Sequence, residues 1–382
     1  MRISILTDFR RLQQRYGAEG FNRFSAALGE LVNAMEEEGN EARVVSLEGR
    51  RLRRSERRSD FLEVLRDPSG PPDQVLILGD DEVIPFCKVR DPYGVHSSEW
   101  RWILSDSFEF FHLASMRYNG PGIGRMPAES GAGPELLISQ IHRAIKVHRE
   151  GKLSLDEASH CFCAEAWQDR AVEVFSRWCT GRGRRSVHVS PPVGLRRGVR
   201  VSETTDPTWL SRSSLLLFEL HGGPEVAEWW GEESATNDPI PPWCLTVIDP
   251  ALAQRSQPEG SVVCAATCWS ADIKGKRRSQ SIALQLLGQG AACFIGLTHF
   301  GYDYPEKRGL NGLDLLFAMI VERLRLGIPT GQAIGEAKNA YVRAVGNLLP
   351  TDKAMLLSLT LLGDPTLRLA QKPEGRPVAR GH

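Results

Sequence analysis

The chain has 382 residues, a length that predicts two or three domains at about 100–200 residues per domain. Its 47 basic and 47 acidic residues balance, so it lacks the basic excess on which binding to nucleic acid or to an anionic membrane surface depends. A hydrophobic fraction of 41% with 25% charged residues indicates a folded globular protein and excludes a disordered one. Neither nucleic acid nor a membrane is therefore expected as a partner.

The first residues of the chain are not those expected of a secretory signal. Residues 1–15 indicate a strand followed by a charged helix, without the apolar stretch and small-residue cleavage site of a secretory signal. No uninterrupted apolar run approaches the ~18–20 residues that a membrane helix needs. We therefore expect a cytoplasmic protein.

The cysteines fit a reducing compartment. There are eight, with no CxxC pair and no zinc-ribbon spacing, so neither a metal site nor a disulfide framework is expected. Cysteines in apolar surroundings behave as small buried hydrophobes, and this is the expectation for all but Cys268. The others are Cys87, Cys161, Cys163, Cys179, Cys244, Cys264 and Cys293.

Short apolar runs alternate with longer amphipathic segments through the first part of the chain. Such runs suit strands buried on both faces of a parallel sheet, and their alternation with helices predicts an α/β fold. The predicted strands are Met1–Thr7, Ala42–Leu47 and Gln74–Leu78, and the predicted helices are Gly20–Glu38, Asp60–Leu65 and Pro134–Arg149. Residues 88–127 are looser and indicate loops and short strands.

After a linker at Gly151–Glu157 the same alternation begins again. The predicted strands are His160–Glu165, Ser186–Val189, Ser214–Leu220, Val262–Thr267 and Ala291–Leu297. The predicted helices are Gln168–Cys179, Ser279–Leu287, Leu310–Leu326 and Gly331–Val345, and the fold closes with Leu356–Leu369. We therefore expect an amino-terminal α/β subdomain over 1–150, a second over 151–370, and a frayed tail over 371–382.

Two chemically active side chains follow strong predicted strands. In an open parallel sheet, ligands meet the carboxyl ends of the strands. His221 follows SLLLFEL and Cys268 follows VVCAAT. An imidazole can take the proton of a cysteine nucleophile and later pass it to a leaving amine. This pairing predicts a cysteine hydrolase.

The neighbours of these residues add detail to the hypothesis. Gly222 and Gly223 allow the backbone to approach a substrate, and their N–H groups could join that of Cys268 in an oxyanion hole. His299 also follows a strand and is the rival general base, ranked second because the glycines follow His221. Cys264 lies within a strand, where a side chain packs, and serves as an internal control.

Two other classes of enzyme lack their motifs. The sequence contains no GxxxxGK[ST] motif, and Gly122-Ile123-Gly124-Arg125 is too short for a dinucleotide-binding loop. An α/β-hydrolase is excluded by the missing GxSxG motif.

A set of segments in fixed order resembles a known family. They are VLILGDDEVIPF at Val75–Phe86, SDSFEF at Ser105–Phe110, PGIGRMPA at Pro121–Ala128, HGG at His221–Gly223, ATCWSA at Ala266–Ala271 and LLGDPTLRL at Leu361–Leu369. Together they resemble the caspase-like (clan CD) cysteine peptidases, in particular the gingipain branch, peptidase family C25, and its cytosolic bacterial relatives. The resemblance implies a smaller Rossmann-like α/β subdomain followed by a caspase-like α/β sandwich that holds the catalytic residues.

The resemblance also implies roles for single residues. Cys268 matches the nucleophile and His221 the general base and acid, with no metal and no organic cofactor. Some members of the family orient the histidine with an acidic residue from an earlier strand. Glu165 is the positional match, and Asp169 is the alternative.

The resemblance places the substrate pocket in the segments after the two catalytic residues. The expected lining residues are Trp229, Trp230, Trp269 and Asp272. The two adjacent tryptophans could equally be packed core. An acidic residue here could pair with a P1 Arg or Lys, which is the preference we expect; the acidic candidates are Asp272, Glu225, Glu228, Glu232 and Glu233. As an alternative, the basic residues Lys274, Lys276, Arg277 and Arg278 could attract an acidic P1 or form a cleavable activation loop.

The expected function is thus that of a cysteine endopeptidase that cleaves a protein or peptide after one kind of P1 side chain. The resemblance suggests a setting in bacterial defence, with a gasdermin-like pore former as one partner. The alternative is a catalytically silent caspase-like scaffold or interaction module. A degenerate member would lack the cysteine, the histidine or the glycine after it, and all three are present.

Overall fold

The structure is a computed structural model of the chain. It describes residues 1–48, 65, 70–92, 101–107, 110–112, 115–150, 153, 158–178, 184–191, 205–211, 213–232, 244–304 and 307–369. The predicted helix at Asp60–Leu65 and the frayed tail lie outside these residues, apart from Leu65.

A ten-stranded sheet runs through both halves of the chain. In spatial order its strands are β10 (Arg185–Ser190), β9 (Ala158–Ala164), β11 (Ser213–Glu219), β14 (Val262–Ala265), β15 (Cys293–Leu297), β16 (Leu359–Gly363), β8 (Gly122–Met126), β3 (Gln74–Leu78), β1 (Arg2–Thr7) and β2 (Glu41–Ser46). Three two-stranded pairs stand beside it: β4 (Cys87–Arg90) with β5 (Trp102–Ser105), β6 (Phe111–His112) with β7 (Arg117–Tyr118), and β12 (Trp229–Glu232) with β13 (Cys244–Ile248).

The direction of the strands changes once across the large sheet. Neighbouring strands are parallel except where β15 meets β16, which are antiparallel. β9, β10, β11, β14 and β15 therefore end at one edge, and the strands of the amino-terminal half run the other way. The loops after β9, β11, β14 and β15 consequently meet, as expected for residues that follow parallel strands.

Helices cover both faces of the sheet. They are α1 (Phe9–Glu37), α2 (Glu135–Glu150), α3 (Gln168–Trp178), α4 (Pro250–Gln254), α5 (Ile282–Gly288), α6 (Gly312–Arg325), α7 (Thr330–Val345) and α8 (Pro350–Ser358). In the carboxyl-terminal half, α3, α6, α7 and α8 share one apolar core and α4 and α5 another. α1 and α2 pack on β1 and β3 in a third core. No helix within the described residues is long and apolar enough to span a bilayer.

Strand β11 explains how the sequence orients the site. All seven of its residues are buried, because side chains on both faces contact helices. Leu215 and Leu217 belong to the core under α3 and α6, and Leu216 and Phe218 to the core under α4 and α5. Glu219, next in the alternation, therefore points toward α3 and α6.

Most predicted strands are present, and several elements differ. The first helix begins at Phe9 and is interrupted at Gly17, where φ is +65°; Asp8 caps its start by accepting a hydrogen bond from the Arg11 N–H. The β12–β13 hairpin, α4 and α8 were not predicted. The expected α/β class is confirmed, whereas the division at residue 150 remains a prediction because one sheet includes strands of both halves.

Candidate active site

His221 and Cys268 lie at the ends of adjacent strands. β11 and β14 pair in parallel, with Leu215 opposite Val262 and Phe218 opposite Ala265. Beyond the paired region, the Leu220 N–H donates to Thr267 Oγ1 at 3.4 Å. The segments that follow the two strands then approach so closely that a Cβ on Gly222 would overlap the Cys268 carbonyl oxygen. The fold thus brings together the two residues expected to form the dyad.

Cys268 sits at a sharp turn where the chain leaves β14. Trp269, the next residue, has φ of +52°, a value in the left-handed region that a non-glycine residue rarely adopts. Its backbone N–H donates to the His299 carbonyl at 3.0 Å, and its ring packs edge-on against Phe300 with centroids 3.9 Å apart. These contacts hold the strained turn that presents the Cys268 thiol at the edge of the sheet.

The surroundings of Cys268 keep its sulfur protonated at rest. Burial raises the pKa of the thiol to about 11, and the carboxyl group of Asp303 acts in the same direction. One opposing contact is the Gly301 N–H, which donates to Sγ at 3.3 Å and lowers the pKa. A neutral thiol needs a base to accept its proton before it can attack a carbonyl carbon.

A carboxylate holds the imidazole of His221. Nε2 lies 2.7 Å from Oε2 of Glu232, and both side chains are about one-third to one-quarter exposed, at 33% and 26%. The backbones of His221 and Trp230 exchange two hydrogen bonds, 2.8 and 3.1 Å long. Hairpin β12–β13 therefore folds back onto His221 and brings Glu232 to its ring.

The adjacent tryptophans of β12 face opposite ways, as alternation along a strand requires. Trp230 is half-buried and lies parallel to the His221 ring, with centroids 6.0 Å apart. Trp229 instead packs in the core against Phe218 and Phe294 and is only 4% exposed. Trp229 is therefore a core residue and not the pocket residue that we expected.

Asp272, another expected pocket residue, is paired within its own loop. Its carboxylate lies 2.9 Å from the Lys276 ammonium, four residues further along the chain. The same ammonium donates to the Pro224 carbonyl at 3.1 Å, so it joins the loop after Cys268 to the loop after His221. Asp272 thus holds Lys276 between the two loops, and its role in the substrate pocket remains a prediction.

Glu165 lies near the site at a different position from Glu232. It begins the 3-10 turn Glu165–Trp167 that follows β9. From this turn the Trp167 ring packs edge-on against His221, with centroids 4.5 Å apart. The carboxylate hydrogen-bonded to His221 belongs to Glu232, and a role for Glu165 remains a prediction.

His299, the rival base, is buried behind Cys268. It is 1% exposed, and its ring lies 5.6 Å from that of Trp269. A histidine at this depth supports the strained turn, whereas the half-buried His221 faces the edge where a substrate could arrive.

Three carboxyl groups gather beneath the two catalytic candidates. Glu219 is 2% exposed, and within the described residues neither of its oxygens has a hydrogen-bond partner. Burial, together with the charges of Asp314 and Asp303, raises its pKa well above the usual range. The pKa of Asp314 is raised to about 8 by burial and by Asp303, although Arg170 lies 3.2 Å from its Oδ2. Sequence reasoning missed this cluster, because its members are adjacent only in the fold.

The remaining cysteines are packing residues where they are described. Cys87, Cys161, Cys163, Cys264 and Cys293 are buried free thiols, and Cys268 alone among the described cysteines is partly exposed. The described part of the chain contains no group of three or more His, Cys, Asp or Glu residues placed to hold a metal ion.

Comparison with solved structures identifies the fold. The Arg-specific cysteine proteinase gingipain R superposes with a TM-score of 0.62 and 16% identity, over 97% of this chain and 78% of that one. A complex of the pro- and mature domains of RgpB from Porphyromonas gingivalis gives 0.60 and 14%, over 97% and 80%. A structure titled only as a protease gives 0.55 and 14%, over 97% and 78%. The chain therefore has the gingipain-like, caspase-like fold.

The carboxyl-terminal half of the chain matches a known sequence family. Residues 214–370 match the model of peptidase family C25, and this segment contains both His221 and Cys268. No curated protein sequence matches the chain significantly. The resemblance drawn from the sequence motifs is thus confirmed: residues 214–370 are similar to peptidase family C25, and the chain is a cysteine endopeptidase, a hydrolase, with a caspase-like fold.

Proposed function

We propose that Cys268 is the nucleophile and His221 the general base and acid of this endopeptidase. The observation that carries the proposal is the contact between the two strand ends, where Gly222 packs against the backbone of Cys268. The imidazole held by Glu232 lies at the same edge as the only partly exposed thiol among the described cysteines. A nucleophile and an oriented base at one edge are what acyl transfer from a peptide requires.

The reaction follows from the protonation state of the thiol. His221 accepts the Sγ proton as sulfur bonds to the peptide carbonyl carbon, and the carbonyl oxygen becomes an oxyanion. Within the described residues the N–H groups of Gly222 and Gly223 have no acceptor, which leaves them for that oxyanion. The imidazolium returns the proton to the departing amine, and the C–N bond breaks. Water, deprotonated by His221, then hydrolyses the thioester and releases the acid and the free thiol.

Matched substitutions test these roles. Cys268→Ala and His221→Ala should lower kcat by 10³-fold or more on a cleavable peptide, since the residues act as a unit. Cys264→Ala and His299→Gln are the controls, and each should retain at least a tenth of the activity if it folds. Activity retained in Cys268→Ala, or lost in His299→Gln with a normal unfolding midpoint, would overturn the assignment.

We further propose that the enzyme prefers a basic P1 side chain. The support is the cluster of Glu219, Asp303 and Asp314, in which Arg170 is the one cation paired with a member among the described residues. Asp303 lies two residues after Gly301, whose N–H contacts the Cys268 sulfur. A guanidinium or ammonium group entering beside Cys268 would supply the positive charge that this cluster lacks. Gingipain R, similar in fold, is titled an Arg-specific proteinase.

We also propose that the natural substrate is a cytoplasmic protein partner in bacterial defence, such as a gasdermin-like pore former released by one cut. The resemblance to caspase-like bacterial peptidases supports this proposal. Purified wild-type enzyme and Cys268→Ala should be incubated with a purified bacterial gasdermin-like protein. The expected result is one cleavage by wild type and subsequent leakage of lipid vesicles; an intact partner would remove this candidate.

A further inference from the structure

We infer that Glu232 is the positioning residue for His221, an inference that rests on the proposed function. The carboxylate comes from β12, after the histidine in the chain, whereas sequence resemblance had placed the orienting acid at Glu165, before it. Its Oε2 lies 2.7 Å from His221 Nε2, the distance of a strong charge-assisted hydrogen bond.

The backbone fixes this contact independently of the side chains. His221 and Trp230 form an antiparallel bridge with hydrogen bonds in both directions. Glu232 is two residues beyond Trp230 in β12. Alternation along a strand places residues two apart on the same face, so Trp230 and Glu232 both meet the imidazole.

The close approach at Gly231 holds β12 in this position. A Cβ there would come within 2.6 Å of the Cβ and Oγ of Ser190, at the end of β10. Gly231 lies between Trp230 and Glu232, the two residues that contact His221. Its close packing on Ser190 therefore holds β12 against the end of β10. Trp167 closes the other side of the ring, with centroids 4.5 Å apart.

This geometry assigns one task to each nitrogen of His221. A carboxylate can only accept, so Nε2 carries the proton that it donates to Glu232. Nδ1 is then the nitrogen that accepts the Sγ proton of Cys268. Glu232 fixes this tautomer before attack and stabilises the imidazolium that forms during it, the role of the acid in other catalytic triads.

Three variants of Glu232 separate this role from simple support of the hairpin. Glu232→Gln can donate to Nε2 and move the ring proton to Nδ1, so kcat should fall by about 10²-fold or more with KM within about twofold. Glu232→Ala should fall at least as far, and Glu232→Asp should retain more activity than either. Thr246→Val is the matched control on β13 of the same hairpin, since it removes only the hydrogen bond that Thr246 donates to Glu228 at 2.9 Å, and it should stay within about threefold of wild type.

Two further readouts make the test decisive. Nitrogen-15 NMR should show the His221 proton on Nε2 in wild type and a shift of the tautomer in Glu232→Gln. The rate of alkylation of Cys268 by iodoacetamide, which needs no substrate, should fall with kcat. Equal kcat in Glu232→Gln and wild type, or loss of kcat only in Glu165→Gln, would overturn the inference. Peptidase activity that survives Cys268→Ala would instead overturn the proposed function, so the two failures are distinguishable.

Discussion

Gly222 packs against the backbone of Cys268 with no room for a side chain. A Cβ at 222 would overlap the Cys268 carbonyl oxygen and come within 2.8 Å of Thr267 Cγ2. At Gly223 the nearest atom would be Val226 Cγ2 at 3.4 Å, an ordinary contact. Packing therefore requires a glycine at 222, whereas it leaves room for a Cβ at 223.

This difference predicts unequal effects of alanine. Gly222→Ala should lower kcat/KM by about 10²-fold or more, because the strand ends must separate and a displacement of about 1 Å is costly in an active site. Gly223→Ala keeps the N–H and should remain within about tenfold of wild type. Steady-state kinetics on one peptide checks this, with unfolding midpoints as the control. Equal losses in the two variants would contradict the packing argument.

The raised pKa of Cys268 predicts how its alkylation depends on pH. Because that pKa is about 11, the thiolate fraction and the rate of reaction with iodoacetamide should increase steadily from pH 7 to pH 10. Cys264 is fully buried, which raises its pKa well above the usual range and keeps the reagent out, so it should not react in the folded protein. Mass spectrometry of the labelled peptides measures both. Equal labelling of the two cysteines would count against the site.

The acidic cluster predicts a change in P1 preference. Glu219→Gln and Asp303→Asn should each lower kcat/KM for P1 Arg or Lys by about tenfold or more, since each removes a carboxyl group that would ionise and pair with the cation when it enters the proposed pocket. Cleavage after an uncharged residue should change by less than about threefold. A set of fluorogenic peptides that differ only at P1 is the measurement. A uniform loss across all P1 residues would instead indicate a structural role for the cluster.

A buried histidine predicts loss of stability at alkaline pH. Nδ1 and Nε2 of His148 lie 2.8 and 2.9 Å from carboxylates of Glu38 and Asp364, and they tie α2 to α1 and to the loop after β16. Burial opposes the charge, but the hydrogen bond to Asp364 and the other contacts raise the pKa to about 9. The stabilisation is fully present below pH 6.5, the ordinary pKa of histidine, and is lost as pH rises through 9.

Urea unfolding of wild type and His148→Gln at several pH values checks this prediction. The difference in unfolding free energy should be largest near pH 6 and decrease by on the order of 3 kcal/mol by pH 10. The unfolding free energy of the variant must be subtracted from that of wild type at each pH, because other groups also make stability depend on pH. Burial lowers the pKa of Lys338 to about 7, so this residue makes both proteins more stable as the pH rises. A difference that does not change with pH would contradict the assignment of charge to His148.

Several parts of the site could be predicted from sequence because they follow from local pattern. Apolar runs such as Ser214–Leu220 mark buried strands, and chemistry in parallel sheets lies at strand ends, which was enough to select His221 and Cys268. Glu232 was considered only as a pocket residue. Its contact with His221 depends on the bridge between His221 and Trp230, which no local pattern encodes.

The pair Trp229 and Trp230 shows the same limit. Two adjacent tryptophans in a strand must face opposite sides, whereas the sequence analysis treated the two together, as pocket residues or as packed core. Which of them contacts His221 depends on the register of the bridge, and only the structure supplies it. Asp272 shows the limit in another way. Its place four residues after the nucleophile made it a pocket candidate, and only the folded loop shows that it pairs with Lys276.

Cleavage of a fluorogenic peptide library varied at P1, by wild type and by Cys268→Ala, tests the central claim most directly. The account predicts turnover by wild type that is greatest with Arg or Lys at P1 and is abolished in Cys268→Ala. Cleavage that persists in the variant, or the absence of cleavage of every peptide by wild-type enzyme, would contradict it.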